Sequence, residues 1–202
     1  VVAEHGLPAL VTVGIVLVVA GFAFKIAAVP FHAWAADVYQ GAPIPVAALL
    51  SVISKASGFA GLILVLVVAL PGQAATWAPV VAVVSALTMT VGNLLAIRQR
   101  SAVRLLAWSS VAQSGYILAP LAVALQVRSA GVPERAVEPG ISAVGASVAY
   151  LVIYAAMNLG AFAVVMIVSR GVVRNELDDY RALVFRRPAA GLTLAFCLIC
   201  LA

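Results

Sequence analysis

Long apolar stretches with few charges constrain this chain more than any other feature of its sequence. A helix needs about 20 apolar residues to cross the hydrocarbon core of a bilayer. In lipid a spanning helix satisfies all of its own backbone groups, and no strand-like alternation competes with it here. The sequence therefore predicts an all-α integral membrane protein, a polytopic bundle of transmembrane helices. The predicted helices cover about residues 8–35, 45–70, 77–97, 104–126, 141–169 and 189–202.

The composition supports this class and suggests the extent of the chain. Only 9% of the 202 residues are charged, against about 25% in a soluble domain. Because no basic stripe carries interleaved aromatic residues, we expect no binding to nucleic acid. The first residues show neither an initiator methionine nor the basic region of a signal peptide. We expect residues 1–202 to be one transmembrane domain, a fragment of a larger membrane protein with its last helix truncated.

The basic residues predict the orientation of the helices. Ten of the twelve are arginines in connections or at helix ends: Arg98, Arg100, Arg104, Arg128, Arg135, Arg170, Arg174, Arg181, Arg186 and Arg187. Most lie in the loops near 98–104 and 170–188, which the alternation of helices puts on one side of the membrane. By the positive-inside rule that side is cytoplasmic, and the connection with Asp37 faces it too. The 71–76 and 127–140 connections then face outward.

The two remaining basic residues, Lys25 and Lys55, lie within apolar stretches. A charge at the bilayer centre costs at least about 2.5–3.5 kcal/mol even on the lenient insertion scale. All seven acidic residues lie in connections or near ends, so neither lysine has an evident carboxylate partner at membrane depth. We expect a partner in the rest of the protein, a neutral state for part of the time, or access for water.

Pro30 predicts a broken helix beside the first lysine, in "FKIAAVPFHAW". Proline offers no N–H to the carbonyl of Ile26 and its ring crowds that carbonyl. An unpaired acceptor then arises one residue from Lys25. Broken helices beside ionisable side chains recur where ions cross membranes. The alternative interpretation is a packing kink, with Lys25 in a structural pair.

Lys55 lies near the middle of its helix, with Ser51 one turn before it and Ser54 next to it. Two lysines on consecutive helices could pass a proton if both were rarely charged together. A structural polar contact is the alternative. His32 can exchange a proton near neutral pH, or it acts only as an interfacial donor, as we expect for His5. Lys25 and Lys55 are therefore the predicted proton relay, with His32 as a possible member.

Uncharged polar side chains follow one stripe on each of two later helices. They are Ser109, Gln113 and Tyr116 on the 104–126 helix, flanked by Ser110 and Ser114, and Tyr150, Tyr154 and Asn158 on the 141–169 helix. Such stripes usually join helices, but they can also line a hydrated path. We keep Ser51, Ser54, Gln113, Tyr116, Tyr154 and Asn158 as candidates for that path.

Small residues predict where helices approach one another. Gly145, Gly160 and Ala161 are expected to be helix contacts. Cys197 and Cys200 are interpreted as small apolar residues on one helix face. Because no other cysteine or histidine lies near them in sequence, we do not expect the two cysteines to form a redox or metal site.

Three segments resemble a known family. They are "FKIAAVPFHAWAADVYQGAPIPVAALLSVISKASGF", "VGNLLAIRQRSAVRLLAWSSVAQSGY" and "YLVIYAAMNLGAFAVV". The pattern K-x4-PFH-x-W and the "SK" element are similar to the antiporter-like proton-translocating membrane subunits of bacterial NADH-quinone oxidoreductase, complex I, and to Mrp cation/proton antiporters. "DVYQGAP", "GNLLA-x-RQ" and "NLGAF" resemble subunit N of complex I in particular.

This resemblance implies a fold and a place for each lysine. The family fold is a fourteen-helix bundle with two inverted five-helix repeats, each with one broken helix. The fragment would run from helix seven to the start of helix twelve. Lys25 matches the lysine of the broken helix and Lys55 that of the next helix, both in a hydrated proton relay. A glutamate on an earlier helix and a lysine on helix twelve would lie outside the fragment.

Three positions depart from the family pattern. Ala35 and Ala36 stand where a proline usually precedes the aspartate, which could shift the end of the broken helix. Gln113 replaces a frequent histidine and cannot titrate, and Trp108 replaces a common tyrosine.

The resemblance implies a membrane-arm subunit of complex I in the bacterial plasma membrane, which moves protons in response to quinone reduction elsewhere. It implies no redox site in this chain, with NADH, FMN, iron–sulfur clusters and quinone in partner subunits. The implied partners are the other membrane subunits, the lipid bilayer, protons and water. The alternatives are an Mrp-type cation/proton antiporter subunit and a structural spacer whose lysines only hold helices together.

Overall fold

A computed structural model of the chain describes residues 8–129, 138–172 and 175–201. These residues contain helices and no strand longer than an isolated bridge, so the predicted all-α class is confirmed. The helices are α1 (Pro8–Lys25), α2 (Ala33–Gly41), α3 (Ile44–Leu49), α4 (Lys55–Ile63), α5 (Ala74–Ile97), α6 (Ala102–Ser129), α7 (Glu138–Ser169), α8 (Leu183–Arg186) and α9 (Pro188–Leu201). His5 and residues 130–137 of the predicted outward connection lie outside the described residues.

Three described helices are long and apolar enough to cross a membrane: Ile44–Ala69, Pro71–Ile97 and Val144–Ser169. The first of these contains α3 and α4 and is interrupted by two π-helical segments, Leu50–Ser54 and Leu64–Ala69. A π segment closes its hydrogen bonds over five residues, and such segments occur frequently at functional sites. Lys55 follows the first π segment directly.

The first predicted helix, 8–35, is broken, but over a longer segment than its sequence indicates. We expected a break at Pro30 in a helix that otherwise reached Trp34. Instead α1 ends at Lys25, and residues 26–32 are not helical. Proline disfavours the helical conformation in the residue before it as well as removing an N–H, and Ala27 takes the left-handed conformation with φ 58°. The break therefore begins directly after Lys25.

Helices α5 and α6 pack closely because two glycines let their backbones approach. A Cβ built on Gly92 would lie 2.6 Å from the backbone nitrogen of Ala112, and one on Gly115 would lie 2.8 Å from the backbone nitrogen of Met89. Small residues at such crossings are typical of membrane helices. Neither glycine was predicted from the sequence to be a helix contact.

The predicted small-residue contacts have mixed outcomes. Gly145 was expected to be a helix contact, but a Cβ there would meet nothing within 4 Å, so that prediction was wrong. Gly160 and Ala161 do lie at a contact: Ala161 is fully buried, and the Gly160 Cβ would lie 2.8 Å from the Cys197 sulfur. Cys197 is buried and Cys200 is exposed within this chain.

The two arginine-rich loops meet at one end of the bundle. Ser101 and Glu176 form an antiparallel bridge, in which the Leu177 N–H donates to the Arg100 carbonyl at 2.8 Å. Nearby, Arg104 donates to the Asp37 carboxylate at 2.7 Å and so ties α6 to α2. This pairing puts both loops and the Asp37 connection on the same side, as the alternation of helices predicts.

Candidate functional site

Lys55 is the most buried charged side chain in the described part of the chain, with 1% of its surface exposed. Its ammonium nitrogen donates to two groups on α6, the Ser110 carbonyl and the Ser114 hydroxyl, and the second bond is 2.6 Å long. Both acceptors are neutral. The carboxylates among the described side chains, those of Asp37 and three residues in 176–179, lie at the loop end of the bundle. Lys55 is therefore solvated by dipoles of the protein.

The Ser114 hydroxyl joins Lys55 to the broken helix. It donates to the carbonyl of Ile26 at 2.8 Å and lies 3.2 Å from the Ser110 carbonyl. The Ile26 carbonyl is the acceptor that Pro30 leaves without a helical N–H. The acceptor expected beside Lys25 thus exists, and a side chain from α6 satisfies it. A continuous path of hydrogen bonds runs from the Lys55 nitrogen to the backbone next to Lys25.

Other backbone groups of the break also find partners, as buried backbone groups must. The Val29 N–H donates to the Thr88 hydroxyl on α5 at 3.0 Å. The Trp34 indole N–H donates to the Phe24 carbonyl at 3.2 Å, and the rings of Phe24 and Trp34 are in contact. Together with backbone bonds of the segment itself, such as that from the Phe31 N–H to the Ala28 carbonyl at 2.7 Å, these bonds stabilise the interruption of the helix.

A second layer of polar groups surrounds Lys55 through Ser110 and Ser51. The Tyr154 hydroxyl on α7 lies 3.0 Å from the Ser110 hydroxyl and 3.1 Å from the Ser51 carbonyl. The Asn158 amide donates to the Ser51 hydroxyl at 2.5 Å. Three of the predicted path residues, Ser51, Tyr154 and Asn158, are therefore brought together beside Lys55.

Lys25 occupies a different environment from the one we expected. Within this chain its side chain is exposed rather than buried. It lines an open groove of about 430 Å³ between α1 and α4, together with Val18, Gly21, Phe22, Ser57 and Gly58. A Cβ on Gly58 would lie 3.0 Å from the Lys25 Cγ, so the lysine stem crosses α4 one turn beyond Lys55. The described residues leave this face of α1 uncovered, which explains the difference.

His32 lies at the start of α2 and packs against α6. Its ring contacts that of Trp108 edge to face, with centroids 5.4 Å apart. The His32 Nδ1 and the Trp108 Nε1 are both buried without a partner among the described residues. Buried polar atoms without a protein partner are commonly satisfied by water. The two ring nitrogens are therefore suited to hydrogen bonding with water.

Gln113 and Tyr116 form a separate branch on α6. The Tyr150 hydroxyl donates to the Gln113 side-chain oxygen at 2.6 Å, and the Gln113 amide donates to the Leu201 carbonyl at 2.6 Å. Tyr116 accepts a hydrogen bond from Asn93 at 3.1 Å, and its ring lies tilted against that of Tyr150, with centroids 6.5 Å apart. These contacts join α5, α6, α7 and α9, the role that uncharged stripes usually have.

The serines around Lys55 differ from those expected from the sequence. Ser54, a candidate for the hydrated path, is half-buried and contributes its carbonyl to the Ser57 hydroxyl rather than its side chain to the cluster. Ser110 and Ser114, noted only as flanking the polar stripe, are the direct partners of Lys55. The four-residue spacing of the two serines, opposite a buried lysine, is the signal that could have found them.

The described residues contain no group of three or more His, Cys, Asp or Glu side chains that could hold a metal ion. The groups that the structure brings together around Lys55 are hydroxyl and carbonyl dipoles.

Comparison with known proteins shows the family of this chain. Residues 7–202 match the family described as NADH:quinone oxidoreductase/Mrp antiporter, TM. The chain belongs to this family. It is 52% identical over 201 residues to NADH-quinone oxidoreductase subunit N 2 of Streptomyces griseus subsp. griseus, covering 97% of this chain and 36% of that protein. It is 50% identical to subunit N of Salinispora tropica, covering 96% of this chain and 36% of that protein. The predicted resemblance to subunit N is confirmed.

Solved structures of respiratory membrane complexes share the fold. Respiratory complex I from Thermus thermophilus matches with a TM-score of 0.67 and 30% identity, over 100% of this chain and 40% of the matched chain. The membrane-bound sulfane sulfur reductase, an archaeal respiratory membrane complex, matches with a TM-score of 0.75 and 27% identity, over 94% and 36%. The chain therefore spans just over a third of the length of the relatives that it matches.

Proposed function

We propose that this chain is part of a proton-translocating membrane-arm subunit of NADH-quinone oxidoreductase. The environment of Lys55 is the observation that best supports this proposal. Its ammonium group is fully buried and bonds only to neutral groups, and Ser114 links it to the Ile26 carbonyl at the helix break. A buried lysine without a carboxylate can lose its proton at modest cost. The relatives named subunit N supply the reaction context.

In this proposal Lys25 and Lys55 exchange protons through water and hydroxyl groups. Lys55 receives its partners from α6, and Lys25 faces the open groove beside α4. Water in that groove would complete the step between the two nitrogens. His32 is a possible further member, at the loop end of the path. The Tyr154, Asn158 and Ser51 layer then keeps the Lys55 site polar.

The surroundings of the chain are part of the proposal. Its partners are the other membrane subunits of complex I and the bilayer, and NADH, FMN, iron–sulfur clusters and quinone belong to partner subunits. The membrane is the bacterial plasma membrane, with the loops near 98–104 and 170–188 in the cytoplasm. The arginine-rich loops that meet at the Ser101–Glu176 bridge support this orientation.

One observation favours a second candidate function, that of a cation/proton antiporter subunit. The description of the matched family also names the Mrp antiporter. Purification of the complete subunit from its native membrane separates the two. Co-purification with NADH-oxidising subunits is expected under the first proposal, and their absence would favour a cation/proton antiporter.

Replacement of Lys25 by alanine in the complete subunit tests the relay. We expect NADH-driven proton uptake by membrane vesicles to fall by at least about tenfold, while assembly on native gels stays near normal. His32→Ala should have a smaller effect, since solvated groups can replace an imidazole near a membrane face. Normal proton uptake by an assembled Lys25→Ala complex would support the structural spacer instead.

A further inference from the structure

The hydroxyl of Ser114 has more acceptors within reach than it has hydrogens. It lies 2.8 Å from the Ile26 carbonyl and 3.2 Å from the Ser110 carbonyl, and it accepts a bond of 2.6 Å from Lys55. A serine hydroxyl donates one hydrogen and accepts through two lone pairs. One hydrogen cannot serve all of these neighbours at once, so the direction of the Ser114 O–H bond can respond to the charge on Lys55.

The charged and neutral forms of Lys55 demand different arrangements of this hydroxyl. An ammonium has three N–H donors and no lone pair, so Ser114 can only accept from it. The Ser110 carbonyl already accepts from Lys55, which leaves the Ile26 carbonyl as the better target for the serine hydrogen. A neutral amine carries a lone pair, and the same hydroxyl can then donate to it.

We propose that Ser114 is a positioning residue that couples the protonation of Lys55 to the backbone of the helix break. With Lys55 charged, the Ser114 O–H donates to Ile26 and holds the segment after Lys25. With Lys55 neutral, the O–H turns to the lysine nitrogen, and the Ile26 carbonyl becomes free to accept from water. The serine keeps its own proton throughout, and only the direction of its O–H bond changes.

This coupling would favour one order of proton transfer between Lys25 and Lys55. It rests on the proposed function of Lys55. The Ile26 carbonyl has no helical donor of its own because residue 30 is proline. It is next in sequence to Lys25, which lines the open groove. Loss of the proton from Lys55 would therefore open a water site beside Lys25 at the stage when a proton must be replaced.

Ser85 provides a matched control for the test. It is also a buried serine, 2% exposed, and its hydroxyl donates to a backbone carbonyl of another helix, from α5 to Gly115 on α6 at 2.7 Å. It does not contact Lys55. Ser85→Ala therefore removes a comparable buried hydrogen bond and leaves the lysine site intact.

The experiment compares Ser114→Ala, Ser114→Thr and Ser85→Ala in the complete subunit within its membrane complex, at matched assembly. We expect NADH-driven proton uptake in Ser114→Ala to be about tenfold below that of Ser85→Ala, the order expected for one hydrogen bond to a charged group. Threonine keeps the hydroxyl and should restore uptake to within about twofold of the unmodified complex.

Equal uptake in Ser114→Ala and Ser85→Ala would overturn the inference. A threonine variant as slow as the alanine variant would also overturn it, because size rather than the hydroxyl would then matter. If Ser114→Ala does not assemble, Ser114→Cys and Ser85→Cys replace the alanine pair with the same criterion, since a thiol is a weaker donor and acceptor. Lys55→Ala separates the two claims: normal uptake in that variant refutes the relay itself, whereas loss there with equal serine variants refutes only the coupling.

Discussion

Replacement of Thr88 by valine tests whether α5 holds the helix break. Thr88 is fully buried, and its hydroxyl has two bonds: it accepts from the Val29 N–H at 3.0 Å and donates to the Val84 carbonyl at 2.5 Å. A valine side chain has nearly the same shape as threonine but can form neither of these hydrogen bonds. The Val29 N–H would then be buried without an acceptor, within the segment 26–32 that interrupts the helix.

The expected loss follows from that one unsatisfied group. A buried donor left without a partner costs about 1–3 kcal/mol. Thr90 is the control because its hydroxyl bonds only to the Ala86 carbonyl one turn earlier, at 2.9 Å, and its side chain is exposed. Thr90→Val removes the same kind of intrahelical bond and should cost less than about 0.5 kcal/mol. The difference between the variants isolates the Val29 bond.

The measurement is the free energy of unfolding of the complete purified subunit, from denaturation by sodium dodecyl sulfate in mixed micelles. We expect Thr88→Val to unfold at a clearly lower detergent fraction than Thr90→Val. Equal midpoints for the two variants would refute the claim that a side chain from α5 stabilises the break.

Two further predictions concern packing and pH. Gly115→Val should destabilise the α5–α6 pair by about 1–3 kcal/mol through overpacking against backbone, whereas Gly145→Val should change the unfolding midpoint little; equal shifts in thermal unfolding would contradict this. Burial, and then the charge of Asp179, raise the pKa of Tyr180, whose hydroxyl bonds to Asn175. Because the unfolded tyrosine loses its proton first, at about pH 10, this stabilisation is present below that pH and is lost as the pH rises above it. Tyr180→Phe should lack this part of the alkaline loss in a pH series of unfolding, and an unchanged slope would contradict the assignment.

Much of the architecture could be predicted from the sequence because its causes are local. Apolar length gives the spanning helices, and Pro30 requires a break because it removes one donor from the chain. The arginines predict which connections share a side, since they are restricted to helix ends. Each of these inferences depends on a residue and its immediate neighbours.

The site itself could be predicted only in part, because its contacts depend on how helices face one another. Lys55 was evident as a cation in an apolar run, but its partners Ser110 and Ser114 lie 55 and 59 residues away. Both sides of α6 carry polar residues, so periodicity alone does not select the face that meets Lys55. In the same way, Gly115 and Gly145 look alike in sequence, and only packing distinguishes them.

The most direct test of the relay replaces Lys55 by arginine. Arginine keeps the positive charge but does not release its proton under physiological conditions. We predict that NADH-driven proton uptake by Lys55→Arg complexes will be nearly as low as in Lys55→Ala complexes at matched assembly, because the site then holds a permanent cation. Near-normal uptake with arginine would contradict the account, since Lys55 would then be a structural cation that holds α4 against α6.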